Sequence, residues 1–210
     1  MARPGNVIEH PVTGEIITFI QTAGETDGAL LQLGLVVKPA GFVAGPHVHP
    51  HQEERFTIQA GAITFTIDGD TRRIAAGGDV VIPAGTPHAW WNAEPVEAAA
   101  VVEFRPTPNP NSDIRFGSAL ELGRLTEECF ESFFGLAQDG KLDPRTGMPD
   151  ELWGSLVLLR YHPFAYVIEP PLAVLLEMMT PVAAEAERQG LHLPYPYPYA
   201  RVREKQLQPA

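Results

Sequence analysis

Four potential metal ligands lie within a stretch of short apolar segments separated by Gly and Pro, and this arrangement is the strongest constraint on the fold. The ligands are His47, His49, Glu54 and His88. Neutral imidazole and carboxylate suit first-row divalent metals, and no thiolate belongs to the set. Three imidazoles and one carboxylate leave coordination positions open, as in catalytic metal sites. The sequence therefore predicts a β-rich scaffold that brings these four side chains to one divalent metal ion.

The spacing of these ligands agrees with strand geometry. Side chains alternate between the two faces of a strand, so His47 and His49 project from the same face. Glu53 and Glu54 both follow the His pair and compete for the role of carboxylate ligand. Glu54 is preferred, because it shares its face with the apolar residues of the next strand and stands seven residues before Gly61. Glu53 is then expected to face solvent.

Three apolar side chains are predicted to line a pocket beside the metal ion. Phe56 and Ile58 share a strand face with Glu54, and Trp90 shares one with His88. Such residues would exclude water and stack on a planar substrate. The alternative is that all three belong to ordinary barrel core.

Two blocks of sequence frame the ligands. The first block contains Gly41, His47, His49, Glu54 and Gly61, and the second contains Gly77, Pro83, Gly85, His88 and Asn92. In residue type and spacing, the two blocks resemble the paired signature of the cupin superfamily over roughly residues 30 to 106. The resemblance implies a double-stranded β-helix, or jelly-roll barrel, whose interior holds a metal ion and a small-molecule substrate. Cupin barrels commonly pair through sheet edges, which makes a homodimer the expected assembly.

The resemblance also suggests a class of reaction. A site with three His and one Glu is similar to those of the flavonol- and acireductone-cleaving cupin dioxygenases. It implies an oxidoreductase in which one divalent iron, manganese, nickel or copper ion per chain holds a small enolisable or aromatic substrate beside dioxygen. His47, His49, Glu54 and His88 would bind the metal, and Glu54 would also act as catalytic base.

Two other classes of function stay open, because a fold does not fix a reaction. The first is a non-redox isomerase, cyclase or decarboxylase that uses zinc or manganese as a Lewis acid. The second is a cupin that binds a small ligand without turnover.

The chain changes character after its first half. Residues 1–106 are predicted to form the barrel, because short alternating segments are separated there by Gly and Pro. Residues 107–112 form a Pro- and Asn-rich linker. Residues 113–210 carry helical periodicity and are expected to pack on the barrel or on a dimer partner, a substrate lid being the less favoured role. The expected fold class is therefore mainly β, with an α-helical C-terminal region.

Three helices are predicted in the second half. The first spans Leu120–Asp139, the second spans Glu151–Tyr161, and the third opens at Pro170 and ends near Gly190. Pro181 is expected to kink or divide the third helix. The alternating Pro and Tyr residues of 194–199 favour an extended conformation.

Charge and composition exclude some partners. The net charge of −11 argues against nucleic acid, because no basic patch is available to neutralise phosphates. No apolar run approaches the roughly 20 residues that a membrane span needs. The single cysteine, Cys129, fits a reducing compartment, and no signal peptide is visible, so a cytoplasmic location is expected.

Overall fold

The computed structural model describes residues 2–109, 112–167 and 170–199. The strands in these ranges are β1 Val7–Glu9, β2 Glu15–Gln21, β3 Leu31–Val37, β4 His47–Val48, β5 Gln52–Ala60, β6 Ala62–Ile67, β7 Asp70–Ala75, β8 Asp79–Ile82, β9 His88–Trp91, β10 Ala98–Pro106 and β11 Tyr166–Val167. The helices are α1 Ala119–Gln138, α2 Glu151–Tyr161 and α3 Leu172–Arg188.

The strands form two antiparallel sheets that enclose the core. The six-stranded sheet has the order β1-β2-β3-β10-β5-β8, and the five-stranded sheet has the order β11-β4-β9-β6-β7. Side chains alternate in burial along β3, where Leu31, Leu33, Leu35 and Val37 all point inward. The predicted fold class, a mainly β barrel followed by helices, is confirmed.

A tight hairpin connects β6 to β7 at Asp68 and Gly69. Both residues have positive φ, 49° and 85°. A two-residue turn with positive φ at both positions matches the right-handed twist of the flanking strands, and Asp-Gly is among the pairs that favour it. The turn fixes the register of the two strands, which pair from Ala62 with Ala75 to Ile67 with Asp70.

The helical half packs directly on the barrel. Helix α1 begins after Ser118, whose side chain accepts a hydrogen bond from the backbone N–H of Glu121. Glu127 of this helix accepts a hydrogen bond of 2.6 Å from the N–H of Ala23, and Gln138 donates one of 2.8 Å to the carbonyl of Glu9. A second apolar cluster joins the three helices: Leu136, Ala137, Leu142, Trp153, Leu156, Ala183 and Ala186.

The last strand belongs to the helical half of the chain but extends a barrel sheet. In β11, Tyr166 pairs with Val48 and Val167 pairs with His47 of β4. The C-terminal half is therefore joined by backbone hydrogen bonds to the strand that carries a predicted metal ligand.

Helix α3 continues through Pro181 as one helix from Leu172 to Arg188. The division considered for this position is absent, although an interior proline costs about 3 kcal/mol through the lost hydrogen bond and the clash with the preceding turn. Ala183 and Ala186, on the far side of the proline, are anchored in the apolar cluster. The Pro-Tyr segment of 194–198 has no helix or strand, and the hydroxyl of Tyr197 accepts a hydrogen bond of 2.9 Å from the N–H of Glu9. None of the three described helices is long and apolar enough to cross a membrane.

Candidate metal centre

The barrel brings the four predicted ligands together. His47 lies on β4 with His49 just beyond it, Glu54 lies on β5, and His88 opens β9 directly opposite His47. Each residue offers one nitrogen or oxygen atom, and these four atoms all lie within 4.8 Å of one another. His49, Glu54 and His88 are buried, with exposed fractions of 4%, 4% and 2%. The cluster is a group that could hold one metal ion.

The three imidazole rings are oriented by backbone carbonyl groups. The Nδ1 atom of His47 lies 3.1 Å from the carbonyl oxygen of Gly45, and that of His88 lies 2.9 Å from the oxygen of Thr86. His49 makes the corresponding contact, 3.0 Å, with Phe164. Because a carbonyl oxygen only accepts, each Nδ1 must carry the proton. In a neutral ring the Nε2 lone pair is then free to bind a metal ion.

Unpartnered polar atoms at the centre of the cluster support a bound cation. Oε2 of Glu54 lies 2.9 Å from Nε2 of His88 and 3.5 Å from Nε2 of His49. These three atoms are buried, and no residue in the described ranges gives them a well-formed hydrogen bond. Two imidazole lone pairs facing a carboxylate oxygen repel one another unless a proton or a cation lies among them. The donor set therefore fits a divalent metal ion.

The cluster perturbs the acidity of its own members. Burial alone would raise the pKa of Glu54, but its contacts with His49 and His88 outweigh burial and hold the pKa well below the usual range. Burial would lower the pKa of His88, but the Glu54 carboxylate outweighs it and raises the pKa. Burial, followed by the charges of His88 and His49, lowers the pKa of His47. Glu54 is therefore ionised at neutral pH, as a metal ligand must be.

A cavity of about 360 Å³ lies beside the cluster, and His47, His49 and Glu54 line it. Phe56 and Trp90 also line this cavity. Ile58 is buried in the barrel core and is not among the lining residues. Further aromatic walls come from Phe104, Phe130, Phe133, Tyr161, Phe164 and Tyr166.

Much of this wall comes from the helical half of the chain. Phe130 of α1 and Phe164, just before β11, face the cavity, and the Phe164 ring centroid lies 4.7 Å from that of His49. Sequence reasoning missed this contribution, because no periodicity indicates which residue of a loop reaches a barrel mouth. It also missed Glu15, which lines the cavity from β2. Glu15 alternates along β2 with the inward-facing Ile17 and Phe19, and this alternation indicates that Glu15 also points into the barrel.

Two neighbours of the ligands lie outside the cluster. Glu53 is half-buried and is not part of the group. His51 is buried. Its Nε2 donates a hydrogen bond of 2.7 Å to the carbonyl of Ile114, and its ring packs on Phe116. His51 therefore anchors the segment that follows the barrel.

Comparison with known proteins agrees with this geometry. The profile of the family described as "Cupin domain" matches residues 35–103. Quercetin 2,3-dioxygenase from Bacillus subtilis is 28% identical over 82 residues, which are 39% of this chain and 24% of that protein. Protein SchB from Streptomyces halstedii is 32% identical over 91 residues, 43% of this chain and 64% of that protein. Polyketide synthase CurC from Streptomyces cyaneus is 30% identical over 101 residues, 47% of this chain and 64% of that protein.

The chain thus spans less than two thirds of the length of each of these relatives. Among solved structures, that of a predicted oxalate decarboxylase from Thermotoga maritima is 18% identical, covers 49% of this chain and 92% of its own, and has a TM-score of 0.44. The family profile, the two-sheet barrel and the four clustered ligands lead to one conclusion: residues 35–103 form a cupin domain.

Proposed function

We propose that this protein is a metal-dependent cupin dioxygenase that acts on a small, neutral, enolisable or aromatic substrate. One observation carries the proposal: His47, His49, Glu54 and His88 form one cluster, and all of them except His88 line a cavity whose wall is otherwise mostly apolar and aromatic. A metal ion held there has substrate space directly beside it. In this proposal the four residues are its ligands.

The cavity wall favours a neutral substrate. Among the lining side chains of the described residues there is no Lys or Arg, whereas Glu15 and Glu54 supply buried carboxyl groups and Asp150 and Glu151 supply exposed ones. A phosphate ester or a small dicarboxylate would lose its hydration without gaining a counter-charge, which is unfavourable in an apolar site. A planar molecule can instead stack on Phe56, Trp90 and Phe164 while its oxygen atoms face the ligand cluster.

The names of two relatives point to the same class of molecule. One is a dioxygenase named for quercetin, and the other is named as a polyketide synthase. Quercetin and polyketides are rich in phenolic or enolisable oxygen atoms. This similarity supports an aromatic or enolisable substrate for the present chain.

The residues of the site have separable tasks in this proposal. When bound, a divalent iron, manganese, nickel or copper ion would supply the redox chemistry and the Lewis acidity that a reaction with dioxygen needs. The backbone contacts at Nδ1 of His47, His49 and His88 keep the three rings in the ligating tautomer. Glu54 would also act as the catalytic base that accepts the proton of a substrate hydroxyl group. The aromatic walls exclude bulk water from the reacting atoms.

Oxygen consumption tests this function. The purified protein is stripped of metal and reloaded separately with iron, manganese, nickel, copper or zinc, and each form is assayed in an oxygen electrode with a panel of flavonols and enediols. We expect uptake with at least one redox-active metal, none with zinc, and its loss in the Glu54→Gln variant. The Glu53→Gln variant is the matched control and keeps the activity. No uptake with any metal and any substrate would refute the dioxygenase. Zinc-dependent conversion without oxygen would support the isomerase, cyclase or decarboxylase alternative.

A further inference from the structure

Glu15 places a second buried carboxyl group, in addition to that of Glu54, in the wall of the cavity. The residue opens β2, where Glu15, Ile17 and Phe19 point inward. Its exposed fraction is 6%, and it lines the same cavity as the ligand cluster. Glu is almost never buried without a partner, because taking a carboxyl group out of water is costly. Its presence at an otherwise apolar inward position therefore requires an explanation.

Only one of its two oxygen atoms has a partner. The hydroxyl of Thr13 donates a hydrogen bond of 2.6 Å to Oε2 of Glu15. Within the described part of the chain, Oε1 receives no hydrogen bond and no Lys or Arg pairs with the carboxyl group. Thr13 thus fixes the side chain and leaves Oε1 available to a molecule in the cavity.

Glu15 and the ligand cluster face the cavity from different parts of its wall. In the six-stranded sheet, β3 and β10 lie between β2, which carries Glu15, and β5, which carries Glu54. Apolar side chains such as Leu33 and Val102 line the cavity from these intervening strands. A ligand that reaches both carboxyl groups must therefore cross an apolar surface, which suits a molecule with polar atoms at two separate positions.

We propose that Glu15 is a substrate-binding residue, and that its Oε1 forms a hydrogen bond with a hydroxyl or carbonyl oxygen of the substrate that is separate from the substrate's metal-binding group. The inference rests on the proposed function, because it takes one group of the substrate to bind the metal ion at the four-residue cluster. The acidity of Glu15 suits the role. Burial raises the pKa of Glu15 to about 7. The hydrogen bond from Thr13 partly opposes this shift, and the charge of Glu54 adds to it. Near neutral pH the group can donate or accept a hydrogen bond.

A pair of related ligands isolates this contact. Quercetin and 3-hydroxyflavone share the same chelating hydroxy-ketone, but only quercetin carries further hydroxyl groups on its rings. The affinity of each compound is measured by titration calorimetry on the zinc-loaded full-length chain, in wild type and in the Glu15→Leu and Glu15→Gln variants. Zinc prevents oxidation, so the result does not depend on catalysis.

We expect wild type to prefer quercetin, and Glu15→Leu to reduce this preference by roughly tenfold while its affinity for 3-hydroxyflavone stays within about threefold. Glu15→Gln, whose amide can donate and accept, should keep most of the preference. The same preference in wild type and Glu15→Leu, an equal loss in both variants, or wild-type protein that binds neither compound would overturn the role of Glu15. Absence of oxygen uptake with unchanged ligand binding would instead count against the dioxygenase alone.

Discussion

The Nδ1 atom of His49 donates a hydrogen bond of 3.0 Å to the carbonyl oxygen of Phe164, which lies 115 residues further along the chain. The contact orients a ligand of the candidate metal centre from outside the cupin domain. The Phe164 ring also packs on His49 and on Phe104 of β10. The helical half of the chain thus contributes to the geometry of the site as well as to the wall of the cavity.

Removal of residues 112–210 should therefore damage both the barrel and the metal centre. The deletion leaves His49 without its carbonyl acceptor and uncovers aromatic side chains such as Phe104, which is 2% exposed in the full chain. We expect aggregation, and in any soluble fraction a metal affinity lower by about 10- to 100-fold. Size-exclusion chromatography combined with metal analysis measures both. A monomeric fragment with full metal content would contradict this dependence.

The identity of the carboxylate ligand can be tested with two adjacent substitutions. Glu54→Gln removes the charge that faces His49 and His88, so metal content at neutral pH should fall markedly. Glu53→Gln changes a half-buried side chain outside the cluster and should leave metal content within error of wild type. Elemental analysis of the two variants, purified side by side, provides the comparison. The reverse pattern would mean that Glu53 is the ligand.

Metal affinity should fall as the pH is lowered. Burial would lower the pKa of His88, but the Glu54 carboxylate outweighs burial and raises it, so protons compete with the metal ion for this ring at a higher pH than for an ordinary imidazole. The pKa of Glu54 lies well below its usual range, because its contacts with the two imidazoles outweigh burial, and its ionisation does not limit binding. Equilibrium dialysis between about pH 8 and pH 5 measures the effect. Affinity that stays constant down to about pH 5 would contradict ligation by histidine.

Glu15 should give the metal-free protein a characteristic dependence of stability on pH. Burial raises its pKa from 4.5 to about 7, so between these values the folded state binds more protons than the unfolded state. The free energy of unfolding therefore decreases as the pH rises through this window, by on the order of 3 kcal/mol from this group. In the Glu15→Gln variant the side chain cannot ionise, so this contribution to the pH dependence of the free energy of unfolding is absent.

Both proteins contain His88, so the difference between them isolates the contribution of Glu15 from that of His88. Urea unfolding at about pH 5 and about pH 7.5 gives the free energy of unfolding of each protein. Relative to wild type, Glu15→Gln should gain stability as the pH rises. A difference between the two proteins that is independent of pH would show that Glu15 does not titrate in this window.

The cupin half of the fold could be predicted from the sequence because its information is local. Alternation of side chains defines a strand face, and it places Phe56 and Trp90 on the cavity side from a few residues of sequence. Helix α2 has the predicted bounds, Glu151–Tyr161. Strands β1 and β11 were not predicted, because segments of three and two residues carry too little pattern.

The missing parts of the site depend on contacts between distant segments. No local pattern marks Phe164, since its role comes from the docking of a loop beside β4. Glu15 has the parity of an inward-facing residue, but an acidic residue at the start of a strand is usually exposed, so sequence alone favours a surface position. Burial and the unpartnered Oε1 become evident only when the sheets are assembled.

The central claim, that the four clustered residues hold a divalent metal ion, is tested most directly by elemental analysis. Wild type and the His49→Ala variant are purified without a metal-affinity column, with His162→Ala as a control for an imidazole outside the cluster. We expect about one metal ion per chain in wild type and in His162→Ala, with iron, nickel, copper or manganese favouring the dioxygenase and zinc the non-redox alternative. His49→Ala should lose most of its metal. Equal metal content in wild type and His49→Ala, or wild-type protein that takes up none of these metals, would contradict the account.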